Sequence, residues 1–188
     1  MNLTDQMRQC RKCAELSEKR RHVVIGEGVV PAPCVFLGEG PGEKEDETGR
    51  PFIGRAGTLL RTVMAQSGFK PGEYHILNCL KCRPPDNRNP TEEELENCRP
   101  FLVKQLTALK PKVIVAMGRF AQAFVLGEKE PNKLQVVDNS GKIVFYRGDV
   151  HALLTMHPSY VSRHTSDEIY FAFLRHISRA RRLARGAK

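Results

Sequence analysis

Short apolar runs alternate with stretches of helical periodicity along this chain, and that alternation constrains the fold more than any other feature. Apolar runs of five or six residues are typical of buried strands, and the helical stretches between them are typical of crossover connections. The pattern therefore predicts an α/β fold with a parallel sheet. The predicted strands are Cys34–Gly38, Tyr74–Cys79, Val113–Met117 and His151–Met156.

Helices are predicted between and after these strands. The clearest start is at Thr91, because the sequence T-E-E-E places Glu94 three residues later in a capping box. An apolar run at Ile143–Tyr146, set among polar turn residues, indicates a hairpin at the edge of the sheet. With 188 residues and no linker, the chain predicts a single domain over residues 1–188. The predicted helices are Ala56–Ser67, Thr91–Leu109, Gly118–Leu126 and the basic helix Asp167–Arg185.

The charge of the chain narrows the class of partner. The formal net charge is +9, which favours a polyanion such as nucleic acid. No apolar run reaches the roughly 18 residues that span a membrane, and the N-terminal sequence lacks the charged-then-apolar pattern of an export signal. We therefore expect a cytoplasmic protein that does not enter a membrane. In that reducing compartment cysteines are metal ligands or core residues more often than disulfides.

Four of the six cysteines are spaced as candidate metal ligands. Cys10 and Cys13 form a C-x2-C pair near the N-terminus, Cys82 follows the second strand, and Cys98 lies on the capped helix. Four thiolates suit either zinc or an iron–sulfur cluster, and the spacing does not choose between them. The other two cysteines lie within apolar strands and are predicted core residues: Cys34 and Cys79.

Three of the predicted strands end in polar or glycine-rich segments. The first leads into G-E-G-P-G at residues 38–42, the second ends at Asn78, and the fourth leads into H-P-S at residues 157–159. Ligands of open parallel sheets bind beyond the carboxyl ends of the strands. We therefore expect these three segments to line one crevice.

The stretch F-L-G-E-G-P-G-E-K-E-D-E-T-G-R-P-F-I-G-R-A-G, residues 36–57, sets glycines beside five carboxylates. It matches neither G-x-G-x-x-G nor a Gly-Lys-Ser/Thr motif, so no nucleotide cofactor is expected. Carboxylates also repel phosphate, by about 1 kcal/mol per pair at ~4 Å in water, whereas glycines let the backbone approach a flat ligand. The stretch therefore favours a neutral ring, with Glu39 and Glu45 placed to position a water or contact N–H groups.

Together these motifs resemble the family-4 uracil-DNA glycosylases. The resemblance is carried by G-E-G-P-G-E-K-E-D with G-R-P-F-I-G-R-A-G, by N-C-L-K-C-R-P-P-D-N-R-N-P and by H-P-S, in the family's order and spanning roughly Cys10 to Arg163. It implies a three-layer α/β/α sandwich with a central four-stranded parallel sheet. It also implies a [4Fe–4S] cluster held by four cysteines: Cys10, Cys13, Cys82 and Cys98.

The activity that the resemblance implies is the excision of uracil from single- or double-stranded DNA. The enzyme flips the nucleotide out and hydrolyses its N-glycosidic bond, leaving an abasic site for base excision repair. In this scheme Phe52 stacks on the ring, the Asn78 amide pairs with O4 and N3–H, and His157 donates to O2. Either Glu39 or Glu45 orients the attacking water. The implied base site contains Gly38, Glu39, Gly40, Phe52, Asn78 and His157.

The segment after His157 is implied to enter the minor groove, with Val161 or Tyr160 wedged into the vacated stack. Arg163 and the basic helical segment Arg175–Arg185 would contact phosphates. The enzyme is expected to act as a monomer. The alternative function is a non-catalytic nucleic-acid-binding module stapled by zinc on the four cysteines, which would be colourless and would release no base.

Overall fold

A single mixed sheet of six strands organises the computed structural model, which describes residues 1–164 and 166–186. The strands are β1 (Glu27–Gly28), β2 (Cys34–Gly38), β3 (Tyr74–Asn78), β4 (Val113–Met117), β5 (Ile143–Phe145) and β6 (His151–Thr155). They lie in the order β1-β3-β2-β4-β6-β5. The four central strands are parallel, so the carboxyl ends of β3, β2, β4 and β6 share one edge of the sheet.

The α/β class and the four parallel strands are confirmed, but the sheet is larger than the four strands predicted. At one edge β5 pairs antiparallel with β6, as the predicted hairpin requires. At the other edge β1 pairs antiparallel with β3 through Glu27 and Gly28 only. Two residues are too short to display the alternation that marks a strand in a sequence, which explains why β1 was missed.

Helices cover both faces of the sheet. They are α1 (Leu3–Arg8), α2 (Ala14–Lys19), α3 (Glu43–Thr48), α4 (Arg55–Gln66), α5 (Glu92–Leu109), α6 (Arg119–Leu126), α7 (Val136–Asn139), α8 (Pro158–Arg163) and α9 (Asp167–Ala184). The capping box at the start of α5 is present, since the Thr91 hydroxyl accepts from the Glu94 N–H and the Glu94 carboxylate accepts from the Thr91 N–H. None of the helices in the described residues is long and apolar enough to cross a bilayer.

The core has two main layers because successive strand residues point to opposite faces of the sheet. Phe36 of β2 packs with residues of α4 and α9 on one face, whereas its neighbours Val35 and Leu37 pack with residues of α5 and α6 on the other. Every residue of β2 and β4 is buried. This double burial fixes the sheet, and with it the positions of the segments that leave its carboxyl edge.

A third, smaller cluster lies beside the end of β3. Leu16 of α2 and Leu80 are fully buried there together with Cys82 and Cys98, and Cys13 packs against them. The N-terminal helices are thus held against the sheet and α5 at this place. The predicted core residues Cys34 and Cys79 lie elsewhere, buried on opposite faces of the sheet, as expected.

Candidate functional site

A cleft of about 730 Å³ opens at the carboxyl edge of the parallel strands. It lies where β2 and β4 are neighbours although β3 separates them in sequence, which is the switch point at which open α/β sheets bind ligands. Segments far apart in the chain converge here, as expected. The residues of the sequence analysis that line the cleft are Glu39, Gly40, Glu45, Phe52, Asn78, His157, Tyr160 and Arg163.

The base of the cleft is packed around Gly38, the last residue of β2. A Cβ added at Gly38 would lie 2.4 Å from Phe52 Cζ and 2.6 Å from Asn78 Oδ1. Only glycine therefore allows the Phe52 ring and the Asn78 amide to meet over the end of this strand. Gly38, predicted as part of the base site, does not itself line the cleft, whereas the two side chains that it accommodates do.

Phe52 is held in an uncommon backbone conformation, with a φ of 51°. The Arg61 guanidinium fixes this turn by donating to the carbonyls of Phe52 (3.3 Å) and Pro51 (3.2 Å). The Glu45 carboxylate fixes its other side by accepting from the Ile53 and Gly54 N–H groups at 2.9 and 2.8 Å. A left-handed phenylalanine is costly unless its surroundings determine it, so these bonds indicate that the ring position matters.

The Asn78 side chain is 2% exposed and ends β3 at the cleft wall. Its Oδ1 has no hydrogen-bond partner in the described part of the chain. A buried carbonyl oxygen without a donor costs about 1–3 kcal/mol, so such a group in a cleft is suited to a ligand that brings an N–H. On the opposite side the main-chain carbonyl of Asn78 accepts from the Lys81 ammonium at 2.6 Å.

His157 caps α8 and faces the cleft opposite Phe52. Its Nδ1 accepts from the Ser159 backbone N–H (3.2 Å) and lies 2.8 Å from the Ser159 hydroxyl. Burial lowers the pKa of His157 to about 4, and the nearby charge of Arg163 acts in the same direction. The ring is therefore neutral at pH 7 with its proton on Nε2, the atom that can donate to a ligand.

The five carboxylates of residues 36–57 lie in different places and make different contacts. Glu39 lines the cleft, and burial raises its pKa against the opposing charge of Arg119. Glu45 also closes the N-terminal turn of α3 by accepting from the Gly42 N–H at 3.2 Å. Asp46 is buried and accepts from the Arg21 and His22 N–H groups, which ties the N-terminal segment to α3. Two remain at the surface: Glu43 and Glu47.

The rim of the cleft differs from the expectation for the segment after His157. Val161 is 3% exposed and packs into the core, so in this conformation it is not a wedge that can enter DNA. Tyr160 lines the cleft and stacks on His164, with centroids 3.9 Å apart. Across the cleft Val137 is 53% exposed. Sequence reasoning missed Val137, because a four-residue helix shows no period that marks which of its residues faces solvent.

The basic helix α9 does not approach the cleft with its C-terminal end. Arg181 and Arg185 both pair with Glu73, at 3.7 and 2.6 Å. Glu73 directly precedes β3, at the edge of the sheet opposite the cleft. Of the segment Arg175–Arg185, which was predicted to contact phosphates, Arg181 and Arg185 are thus paired with Glu73 at the edge of the sheet away from the cleft. Arg163 on α8 is exposed at the cleft itself.

The four candidate ligand cysteines come together from three parts of the chain. Cys82 and Cys98 are buried in the small cluster with Cys13. Burial raises the pKa of Cys82, and the thiols of Cys10 and Cys13 act in the same direction. Two donors point at these sulfurs: Arg20 Nη1 lies 3.1 Å from Cys82 Sγ, and Asn97 Nδ2 lies 3.6 Å from Cys13 Sγ. Arg20 also donates to the Cys10 carbonyl at 2.6 Å.

The donor set fits an anionic metal–thiolate group. Lys81 is 2% exposed, and burial lowers its pKa to about 8, whereas three neighbouring thiols act in the opposite direction: Cys98, Cys79 and Cys82. A buried ammonium requires a negative partner, which neutral thiols do not supply and metal-bound thiolates do. Within the described residues no three His, Cys, Asp or Glu side chains surround one point closely enough for a single ion. A [4Fe–4S] cluster would space its four cysteine thiolates more widely than a single ion does, because each thiolate would bind a different iron.

The cleft lies at the switch point of a parallel sheet, with glycine, asparagine and histidine at three strand ends. This arrangement indicates the class of protein to which the chain belongs. The family model described as the uracil DNA glycosylase superfamily matches residues 25–180. The chain belongs to that superfamily.

Individual relatives narrow the comparison. The chain is 40% identical over 179 residues to the type-4 uracil-DNA glycosylase of Thermotoga maritima, covering 95% of this chain and 91% of the relative. It is 46% identical over 124 residues to that of Archaeoglobus fulgidus, covering 66% and 62%. It is 37% identical over 166 residues to that of Pyrobaculum aerophilum, covering 86% and 83%. The type-4 glycosylases are thus similar to this chain over most of its length.

Proposed function

We propose that this protein is a uracil-DNA glycosylase of base excision repair, a monofunctional hydrolase that removes uracil and leaves an abasic site. The observation that carries the proposal is the unpartnered Oδ1 of buried Asn78, in the same cleft as the neutral His157. A glycosidic bond in a duplex is out of reach, so the nucleotide must be flipped into this cleft, at a cost of a few kcal/mol.

Recognition of the base rests on Asn78. Its Oδ1 accepts from uracil N3–H, and its Nδ2 donates to O4. Cytosine has an acceptor at N3 and a donor at position 4, so both contacts would become repulsive. A site built to make hydrogen bonds rejects the analogue that cannot make them by a large factor. Phe52 supplies a flat surface for the ring, Gly40 lets the backbone come close to it, and Gly38 leaves the room that the Phe52 and Asn78 side chains need.

Bond cleavage transfers charge to the departing uracil. When the N-glycosidic bond breaks, its electron pair goes to uracil, and negative charge develops on O2. The Nε2–H of His157 donates to that oxygen. A preorganised donor of this kind contributes on the order of 10²–10³ in rate. Because the pKa of His157 is lowered to about 4, the residue stabilises the anion as a neutral donor and does not protonate it.

The attacking water is assigned to Glu39. Its carboxylate lies in the cleft, and burial raises its pKa, which makes this carboxylate a better acceptor for the proton of the water. The water adds its oxygen to C1′ of the sugar, and its proton passes to this carboxylate. The Glu45 oxygens already accept from three backbone N–H groups. We therefore assign Glu45 the task of positioning the Phe52 turn.

Contact with DNA is assigned to the rim. Tyr160 and Val137 lie at the cleft, where an aromatic and an apolar side chain can replace the extruded base in the stack. Arg163 supplies a phosphate contact, which would add about 0.9 to the slope of log affinity against log salt. Single- and double-stranded DNA are both proposed as substrates. A side chain can replace the extruded base only in a duplex, so Tyr160 and Val137 should matter only for double-stranded DNA.

The cofactor is proposed to be a [4Fe–4S] cluster on Cys10, Cys13, Cys82 and Cys98. When bound, it would supply four metal-bound thiolates, whose negative charge balances Lys81 and Arg20. The cysteines would also tie the N-terminal helices to the end of β3 and to α5. The rival function, a non-catalytic module with zinc, predicts a colourless protein. We expect a brown one that absorbs near 400 nm and contains iron.

The proposal also includes one domain over residues 1–188, a monomeric state and a cytoplasmic location. No nucleotide cofactor is proposed. Residues 165, 187 and 188 of that domain lie outside the described part of the chain. The supporting features are the single sheet and the lack of a nucleotide motif in residues 36–57. Gel filtration of the purified protein, with and without DNA, checks the monomer.

The decisive experiment is an alkali-sensitive strand-cutting assay on an oligonucleotide with one uracil. We expect cutting at the uracil position without added nucleotide, and none in the matched oligonucleotide with thymine. Parallel substrates with cytosine, hypoxanthine and xanthine define the range of bases. Iron-replete protein that released no uracil from either single- or double-stranded DNA would overturn the proposed function.

A further inference from the structure

Lys81 is a buried lysine that connects the cysteine site with the base-reading asparagine. It is 2% exposed, and its ammonium donates to the main-chain carbonyl of Asn78 at 2.6 Å. Its carbonyl accepts from the Val24 N–H at 2.8 Å. Lys81 thus bonds both the end of β3 and the N-terminal segment, and its neighbours Leu80 and Cys82 are buried with Cys98 of α5.

A lysine at this place is not needed to fill space. An ammonium taken out of water costs several kcal/mol unless an anion compensates it. A methionine or leucine would pack the same region without that penalty. The ammonium of Lys81 donates instead to the main chain of Asn78, the residue that is proposed to read uracil. The next residue in the chain, Cys82, is a proposed cluster ligand.

We propose that Lys81 is a positioning residue that couples the cysteine site to base recognition by fixing the end of β3. Its ammonium holds the Asn78 carbonyl, and the burial of its chain neighbours Leu80 and Cys82 fixes the main chain of Lys81. The Asn78 amide then stays aimed into the cleft, although its Oδ1 has no partner among the described residues. This inference rests on the proposed function.

The coupling has a consequence for the role of the cysteine site. Cys82 follows Lys81 directly, and Asn78 precedes it by three residues, so a short turn joins the ligand to the base-reading side chain. Filling the cysteine site would hold Cys82 in place, and with it the turn that carries Lys81 to the Asn78 carbonyl. The cluster would thus support catalysis through the geometry of Asn78 without taking part in any reaction step.

The test is a double-mutant cycle on iron-replete protein, with single-turnover rates on a uracil oligonucleotide. Lys81→Met alone should lower the rate about 10–100-fold, the range expected for losing a hydrogen bond to a charged group. In the Asn78→Ala background, the same change should lower the rate less than about 2-fold, because Lys81 acts through Asn78. Lys104→Met, on the exposed side of α5, is the matched control and should leave the rate unchanged.

Iron content, absorbance near 400 nm and melting temperature are measured for every variant, and Lys81→Gln is included as a neutral variant that keeps a donor. An intermediate rate for Lys81→Gln with iron retained supports the proposal. Additive losses in the cycle, or a parental rate for Lys81→Met, would overturn it. So would loss of iron and of the fold in both variants, since Lys81 would then only support the metal site. If the parent itself released no uracil, the proposed function would fail instead.

Discussion

The rings of Phe52 and His157 lie 5.8 Å apart, centroid to centroid, and their planes are inclined by 38°. A base held between two parallel rings needs about 7 Å, twice the usual ~3.5 Å contact distance. These two rings therefore do not form a sandwich. A flipped ring that lies against Phe52 presents its edge to His157, and an edge-on approach is the geometry that a hydrogen bond from Nε2 requires.

Replacing His157 by alanine removes that donor. We expect the single-turnover rate on a uracil oligonucleotide to fall on the order of 10²–10³, while the affinity for DNA changes little. His151→Ala, at the opposite end of β6, is the matched control and should retain the parental rate. Equal rates for the parent and His157→Ala would remove His157 from the proposed mechanism.

Asn78→Asp reverses the pattern of donors at the base. A carboxylate accepts at both positions, so it would repel uracil O4 and accept from the amino group of cytosine. We expect uracil release to fall at least about 100-fold and the ratio of uracil to cytosine release to collapse. Paired oligonucleotides that differ only in the target base measure both effects. An unchanged ratio would show that Asn78 does not read the base.

Most of the sheet could be predicted because its strands are apolar on both faces. The ends of β3 and β6 were each predicted one residue too late, since Cys79 and Met156 continue the apolar run beyond the last paired residue. The positions of Asn78 and His157 at one edge followed from this topology alone. Parallel strands of known order bring their carboxyl ends together whatever the loops do.

The tasks of the acidic residues could not be predicted in the same way. No helix was predicted in the stretch G-E-K-E-D-E-T, whereas residues 43–48 form α3, capped through Glu45. Which carboxylate faces the cleft depends on where the Phe52 turn folds back onto Glu45. That contact joins Glu45 to the Ile53 N–H, eight positions later, and no regular period of a helix or strand predicts it. The burial of Lys81 has the same origin, because a lysine is buried only when its tertiary partners neutralise it.

Glu39 and Glu45 should respond differently to conversion into glutamine. Glu45→Gln weakens the bonds that hold the Phe52 turn, so we expect it to lower stability by roughly 1–3 kcal/mol. Glu39→Gln should lower the rate of uracil release about 10²-fold without lowering stability, because burial already disfavours its charged form. Urea unfolding and single-turnover rates separate the two. A destabilised Glu39→Gln with normal activity would reverse the assignment.

The two rim residues should matter more for duplex than for single-stranded DNA. Val137→Ala and Tyr160→Ala remove side chains that can fill the gap left by the flipped nucleotide. We expect each to lower the rate on duplex substrate about 10-fold and the rate on the same single strand less than 2-fold, since the cost of unstacking is a few kcal/mol in a duplex. Phe145→Ala, which removes an exposed ring on β5, is the control. Equal losses on both substrates would contradict the wedge.

The pKa of His157 predicts how stability depends on pH. Its value in the folded protein, about 4, lies below the ordinary 6.5, so between these values the unfolded chain binds a proton that the folded chain does not. The free energy of unfolding therefore rises with pH through this window and falls on acidification. His157→Gln lacks this contribution, whereas His75 and His176, whose pKa values burial also lowers, titrate alike in both proteins.

Urea unfolding from pH 7.5 to 5 should show the parent losing stability faster than His157→Gln. Parallel curves would mean that His157 is not buried as a neutral ring, and its assignment as a neutral donor to O2 would lose its basis.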